Sequence, residues 1–137
     1  MKLTFDIEPV AQGRPRFSSF GKHMRAYDPP KSMYFKEQIK LMARKMLPIG
    51  YEPISEPVRV FMTFYRPLPK TLTKLNRQAH EQGKFYPRTR PDVDNYVKGL
   101  LDALSGIVYT DDNIIIQITA DKKYADKGRI EFEIEVI

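Results

Sequence analysis

Cysteine is absent from the chain, and histidine occurs only at His23 and His80. Without thiols there is no disulfide scaffold, no thiolate metal site and no cysteine nucleophile. The two histidines are read as backbone-contacting or idle, since a histidine general base has little to draw on here. Long apolar runs are missing too. No stretch approaches the ~18–20 residues that span a bilayer. The first nine residues alternate apolar and polar, without the continuous apolar centre of a signal peptide. The default expectation is a cytoplasmic protein that does not touch a membrane.

Acidic residues are scarce where basic ones gather. Residues 11–25 hold Arg14, Arg16, Lys22 and Arg25 with no acid. Residues 66–90 hold Arg66, Lys70, Lys74, Arg77, Lys84, Arg88 and Arg90 against Glu81 alone. Residues 91–137 reverse the balance, with ten acids and five bases. The net charge of +6 and a pI near 9.5 conceal this segregation. A basic surface commonly meets a polyanion, nucleic acid first among them. A merely solvated face is the plain alternative for so modest a total.

What remains is ordinary globular material. The 137 residues are 42% hydrophobic and 29% charged, which suits one soluble domain over 1–137 with a real core. Leu3, Phe5 and Ile7 alternate with polar neighbours and predict a strand running up to Pro9. A turn-rich basic loop follows, from Gln12-Gly13-Arg14-Pro15-Arg16-Phe17 to Asp28-Pro29-Pro30. Ser32 is a plausible N-cap for a helix whose stripe is Phe35, Ile39, Met42 and Met46, ending before Pro48. After a loop at 49–57, Val58, Val60, Met62 and Phe64 predict a second strand. Residues 67–90 lack apolar periodicity and read as an unusually long basic loop, with room for a short helix at 72–81.

Boundary signals return after residue 90. Asp94 can cap a helix in which Val97, Leu100, Leu101 and Leu104 form a stripe, and Gly106 stops it. Ile114, Ile116 and Ile118, then Ile130, Phe132, Ile134 and Val136, predict two closing strands around a turn at 126–128. The expected fold class is α+β, a mixed sheet with two main helices packed on one face.

Chemistry concentrates in Arg90-Pro91-Asp92-Val93-Asp94-Asn95-Tyr96-Val97-Lys98 and in Thr110-Asp111-Asp112-Asn113. Asp92 and Asp94, two apart, point to one side of an extended lead-in. At ~100° per residue, Asp94, Lys98 and Asp102 lie successively ~40° apart along one edge of the helix. If the isoleucine-rich strand packs beside that helix, Asp111 or Asp112 returns to the same place. Carboxylates so gathered repel unless a cation compensates them. Oxygen donors without cysteine favour Mg²⁺ or Mn²⁺ over zinc. Each piece also has an ordinary reading: a helix cap, an i, i+4 pair of Asp94 with Lys98, a solvated or Lys98-paired Asp102, and a polar turn at 111–113.

These residues carry a resemblance. The run from Arg90 through Asp92, Asp94-Asn95, Lys98 and Asp102-Ala103-Leu104, followed by Asp111-Asp112 before a strand, resembles the RusA family of Holliday junction resolvases, the phage and prophage type of crossover junction endodeoxyribonuclease. The loop containing Gly13-Arg14-Pro15-Arg16 is similar to one found in many phage-type members. The resemblance implies a homodimeric endonuclease dependent on Mg²⁺, with Mn²⁺ as a substitute and no small-molecule cofactor. It would cut four-way and other branched DNA by paired nicks, serving recombination and repair. By motif match Asp92, Asp94 and Asp112 would be the metal-binding catalytic carboxylates and Lys98 the catalytic lysine. Asp111 is a further candidate ligand, and Asp102 matches a recurrent position without a role.

Compact members have a shorter connection before Asp92, so residues 67–90 bear on the DNA path. Arg14, Arg16, Lys70, Lys74, Arg77, Lys84, Arg88 and Arg90 are the candidate phosphate contacts. Tyr27, Tyr65, Phe85 and Tyr86 are candidates for stacking on unpaired bases, although aromatics more commonly serve core or rim. The rival readings are a non-catalytic branched-DNA-binding protein with a structural acidic cluster, and a metal-dependent nuclease acting on RNA or flaps.

Overall fold

The computed structural model describes residues 1–13, 16–20, 23–27 and 29–137, with 16–20 and 23–27 described by their backbone alone. In chain order the described elements are β1 (Lys2–Phe5), β2 (Arg16–Phe20), β3 (His23–Tyr27), α1 (Pro30–Met46), β4 (Val58–Pro67), α2 (Lys74–Glu81), α3 (Val93–Leu104), β5 (Ile115–Ala125) and β6 (Arg129–Val136). Four strands form one sheet in the order β1-β6-β4-β5, and β2 pairs with β3 in a separate antiparallel hairpin. Within the main sheet β4 runs parallel to β5, whereas β6 is antiparallel to both β1 and β4. The fold is the expected α+β class with a mixed sheet.

Alternation explains the layering. Val58, Val60, Met62 and Phe64 on β4, and Ile130, Phe132 and Ile134 on β6, are buried. They face Phe35, Ile39 and Ala43 of α1 and Leu100, Ala103 and Leu104 of α3, which join them in one core. The two main helices thus cover one face of the sheet, as the patterning predicts. Phe64 stacks on Tyr96 at 5.2 Å between centroids, a contact worth about 0.5–1.5 kcal/mol beyond the area it buries.

A parallel pair cannot be joined by a tight turn. The chain between β4 and β5 therefore makes a long crossover, and that crossover contains α2, α3 and every acidic candidate.

Several local expectations are corrected. The region expected as loop over 12–30 contains the β2–β3 hairpin, whose two strands of five residues each are too short, and β2 too irregular in pattern, to stand out between turn-rich flanks. Strand β1 stops at Phe5, because Ile7 N–H turns back to the Phe5 carbonyl at 2.9 Å. Helix α1 starts at Pro30, where proline's fixed φ suits a first turn, with Pro29 in the cap position. Ser32 is not the cap: its buried hydroxyl accepts from Gly13 N–H at 3.0 Å. The buried stripe of α1 is Ser32, Phe35, Lys36, Ile39 and Ala43, leaving Met46 exposed. The short helix in the basic segment exists at Lys74–Glu81 and buries no side chain. Strand β5 extends to Ala125, well past Ile118.

Candidate active site

Helix α3 opens at the Asp-x-Asp motif. Asp92, not the expected Asp94, occupies the cap position, without a side-chain cap hydrogen bond, and Asp94 sits two places further on in the first turn. Both carboxylates are exposed, at the positive end of the helix dipole, where negative charge is favoured. The lead-in is held from the sheet. Lys122 Nζ on β5 donates to the Thr89 carbonyl at 2.9 Å and to the Pro91 carbonyl at 3.0 Å. Arg66, at the end of β4, donates to the Thr89 carbonyl at 3.1 Å.

Removing the ammonium should loosen this segment. Bonds to charged donors contribute roughly 1.5–3 kcal/mol each. Lys122→Met keeps the aliphatic stem and loses both. Amide hydrogen exchange across residues 92–95 is expected to quicken by about ten- to a hundred-fold, with the core strands unchanged. Unchanged exchange over 92–95 would mean that Lys122 does not hold the motif in place.

At its other end α3 stops against Gly106, whose φ of 83° lies in the left-handed region that glycine tolerates. Val108 and Tyr109 then enter the core completely. The loop between α1 and β4 laces them in place: Ile54 N–H donates to the Val108 carbonyl, Thr110 N–H to the Ile54 carbonyl, and Tyr51 Oη to the Val108 carbonyl at 2.6 Å. The chain surfaces again at Asp111 and Asp112.

These neighbours have different tasks. Asp111 caps a single 3-10 turn (Asp112–Ile114), its carboxylate accepting from Asn113 N–H at 3.4 Å. Asp112 Oδ1 accepts from the buried Tyr109 hydroxyl at 2.9 Å. That hydroxyl also meets the Leu101 carbonyl of α3, so one proton faces two acceptors. Burial, reinforced by Asp112 and then by Asp102 and Asp111, raises the Tyr109 pKa above 10.0. The phenol remains a donor.

Asp112 borders a cleft of about 420 Å³ between α3 and β5, lined also by Lys98, Asp102, Lys36, Gln12 and Ile118. Gly99 makes room for one wall, since a Cβ there would stand 3.3 Å from the Gln12 nitrogen. Gln12 N–H bonds to the Asn95 carbonyl at 3.0 Å, fastening that wall to α3. Lys36 is nearly buried on α1 and reaches Asp102 at 2.6 Å. Asp102 is therefore paired with Lys36 rather than with Lys98. No ion pair joins Asp94 to Lys98 among the described residues.

The structure thus brings Lys98, Asp102 and Asp112 to one cleft. Asp92 and Asp94 stand at the head of the same helix without lining it. Among the described residues no three acidic or histidine side chains are close enough to share a metal ion. The donors are carboxylate oxygens throughout, the chemistry a hard divalent cation takes, and Mg²⁺ commonly uses only one or two from protein.

Lys70, Lys74, Arg77, Lys84, Arg88 and Arg90 are all exposed. Arg14 and the side chain of Arg16 lie outside the described residues, as do those of His23 and Tyr27. Tyr65 is occupied within the protein, with the Arg129 guanidinium 3.7 Å over its ring.

Lys36, Tyr109 and Lys122 escaped the sequence reading. Lys36 lies at i−3 from Ile39, a signal masked by the alternative stripe through Met42. Tyr109 shows itself only as the end of an apolar pair before an acidic turn. Nothing local marks Lys122, whose partners are about thirty residues away.

Residues 6–135 match the family model of endodeoxyribonuclease RusA. The chain is 40% identical over 139 aligned residues to the uncharacterized protein YqaN of Bacillus subtilis (strain 168), covering 100% of this chain and 96% of that protein. It is 27% identical over 139 aligned residues to the crossover junction endodeoxyribonuclease rusA of Lactococcus phage r1t, covering 98% of each. No described helix is long and apolar enough to cross a membrane. With a family match over nearly its whole length, the chain belongs to the RusA endodeoxyribonuclease family.

Proposed function

We propose that this chain resolves Holliday junctions and other branched DNA by hydrolysing one phosphodiester per subunit, as a homodimer dependent on a divalent cation. Mg²⁺ is the expected ion, with Mn²⁺ able to replace it. Asp92, Asp94 and Asp112 are the proposed metal-binding carboxylates, of which one or two at a time would hold an ion, since no three acidic side chains stand together among the described residues, and Asp111 is proposed as an auxiliary carboxylate. Held there, a divalent ion would supply an activated water and offset the charge that builds on the phosphodiester. Lys98, which lines the same cleft, would supply a cation next to the scissile phosphate. Two-fold symmetry suits a substrate with two strands to cut in equivalent positions.

The observation that carries this reading is the cleft between α3 and β5, where Asp112 and Lys98 meet although fourteen residues separate them. The exposed bases of residues 67–90, with Arg14 and Arg16, are the proposed phosphate contacts, so affinity should fall steeply with salt.

The test is nicking of an end-labelled immobile four-way junction with linear duplex as competitor. Symmetric nicks near the branch point in Mg²⁺, abolished by EDTA, are expected. Tight junction binding with no cleavage in any divalent ion would replace the enzyme by a branch-binding protein. Preference for RNA or flaps over the junction would change the substrate class.

A further inference from the structure

Within the basic crossover one recess has no part in the cleft described above. Residues 83–86 come back against the end of β5, where Phe85 stacks on Tyr124 with centroids 4.9 Å apart and rings 18° from parallel. The stack forms a wall of a pocket of about 150 Å³, completed by His80, Gly83, Tyr86 and Lys123. Gly83 has a φ of 71°, which turns the chain sharply out of α2 and lets the aromatic pair fold back.

Three features distinguish this recess from an ordinary packing defect. Its walls are aromatic, yet Tyr86 is 54% exposed, so a large ring is held at the surface and not in the core. Its polar rim is basic: Lys123 pairs with Asp121 only at 3.6 Å between exposed groups, a contact that leaves the ammonium available to a phosphate. It also lies in the chain segment that leads into the catalytic motif. Lys122, the neighbour of Lys123, holds Thr89 and Pro91, and Tyr86 precedes Asp92 by six residues.

A small slot with π-faces and a cationic rim suits one planar, neutral ring attached to an anion. A duplex cannot enter it, because its bases are stacked and paired. We propose that this pocket receives a single unpaired nucleobase of branched DNA, with Tyr86 as the stacking platform and Lys123 on the adjoining phosphate. His80 offers the base edge a hydrogen-bonding group. Every base has a π-face, so the site selects strand structure rather than sequence. The proposal rests on the chain acting on DNA, as argued above, and adds a means of preferring branch points over duplex.

The absence of tryptophan supplies the probe. In the Tyr86→Trp variant the introduced indole is the sole tryptophan, and its emission reports stacking directly. Titrations in EDTA would use oligo(dT), a four-way junction with two unpaired thymines at the branch point, and linear duplex at equal phosphate concentration. Quenching by the first two and not by the duplex is expected. Equal quenching by all three would reduce the site to a phosphate contact and overturn the proposal, as would no quenching by any.

In parallel, Tyr86→Ala should weaken binding of the thymine-bearing junction by about ten-fold while leaving duplex affinity unchanged. An equal loss on both substrates would also overturn it. These readouts need no cleavage, so failure of nicking by the wild-type chain would count against the proposed function alone. Intact nicking without selective quenching would count against the pocket alone.

Discussion

Replacing Asp112 with Asn is expected to lower the rate of junction nicking by at least about a hundred-fold, whereas Asp111→Asn should change it little. Outer-shell groups at metal sites already matter by about 10–100-fold, and a direct ligand should matter more. The contrast follows from what each carboxylate touches. Asp111 caps a turn through a backbone N–H, and Asn serves as a cap about as well as Asp. Asp112 instead borders the cleft shared with Lys98.

The Asp112→Asn variant retains an oxygen for the Tyr109 hydroxyl, so its thermal stability should stay near that of the wild type. Its affinity for the junction should be equal or slightly higher, because one negative charge near the phosphates is gone. Asp94→Asn is expected to behave like Asp112→Asn. Single-turnover nicking measured beside a gel-shift titration separates the two quantities. A large loss in the Asp111 variant with none in the Asp112 variant would exchange their roles.

The second large effect concerns Tyr109, whose ring is wholly buried. Tyr109→Ala removes the ring from a packed site and should cost about 3–5 kcal/mol, a fall in Tm of more than about 10 °C for a domain of this size. Tyr109→Phe is the finer probe. It keeps the ring and loses the hydroxyl, at a cost of about 1 kcal/mol. The Leu101 carbonyl keeps its bond from Ser105 N–H, so no buried acceptor is stranded.

What Tyr109→Phe should lose is the fixed orientation of Asp112, seen as weaker activation by Mg²⁺ with unchanged junction affinity. Alkali offers an independent reading. The folded state raises the Tyr109 pKa above 10.0. Below pH 10 the phenol is protonated in both states and its stabilisation is intact. Above that pH the unfolded chain releases a proton that the folded chain retains, so stability falls by up to about 1.4 kcal/mol per pH unit for this group. Denaturant unfolding between pH 9 and 11 should show a shallower decline in Tyr109→Phe. An identical slope would mean that the buried hydroxyl is not what the alkaline decline reports.

Much of the architecture was legible from local pattern. Period-two alternation marked β4 and β6, because each is buried on one face only. The apolar stripe of α3 and the glycine after it marked that helix within a residue or two. Elsewhere the local signal was ambiguous. Ser32 is a good cap by residue type, yet the helix already starts at Pro30, with Pro29 in the cap position. Lys36 takes a core-facing place that an apolar stripe would deny it, because Asp102 on another helix offers it a partner. The β2–β3 hairpin was obscured by its glycine- and proline-rich flanks.

The sequence by itself determined the class of the fold, the segregation of basic from acidic surface, and the family, through a motif compressed between Arg90 and Asp112. Those properties depend on residue type and short spacing, which a linear chain displays directly. Only the tertiary structure decided which carboxylates share a space. The parallel pairing of β4 with β5 folds the crossover so that Asp112 comes beside Lys98, while Asp92 and Asp94 remain at the head of α3. It also separated Asp111 from Asp112, two adjacent residues of one type. One is turned toward a backbone N–H and the other toward a buried phenol, and both partners are positioned by the rest of the fold.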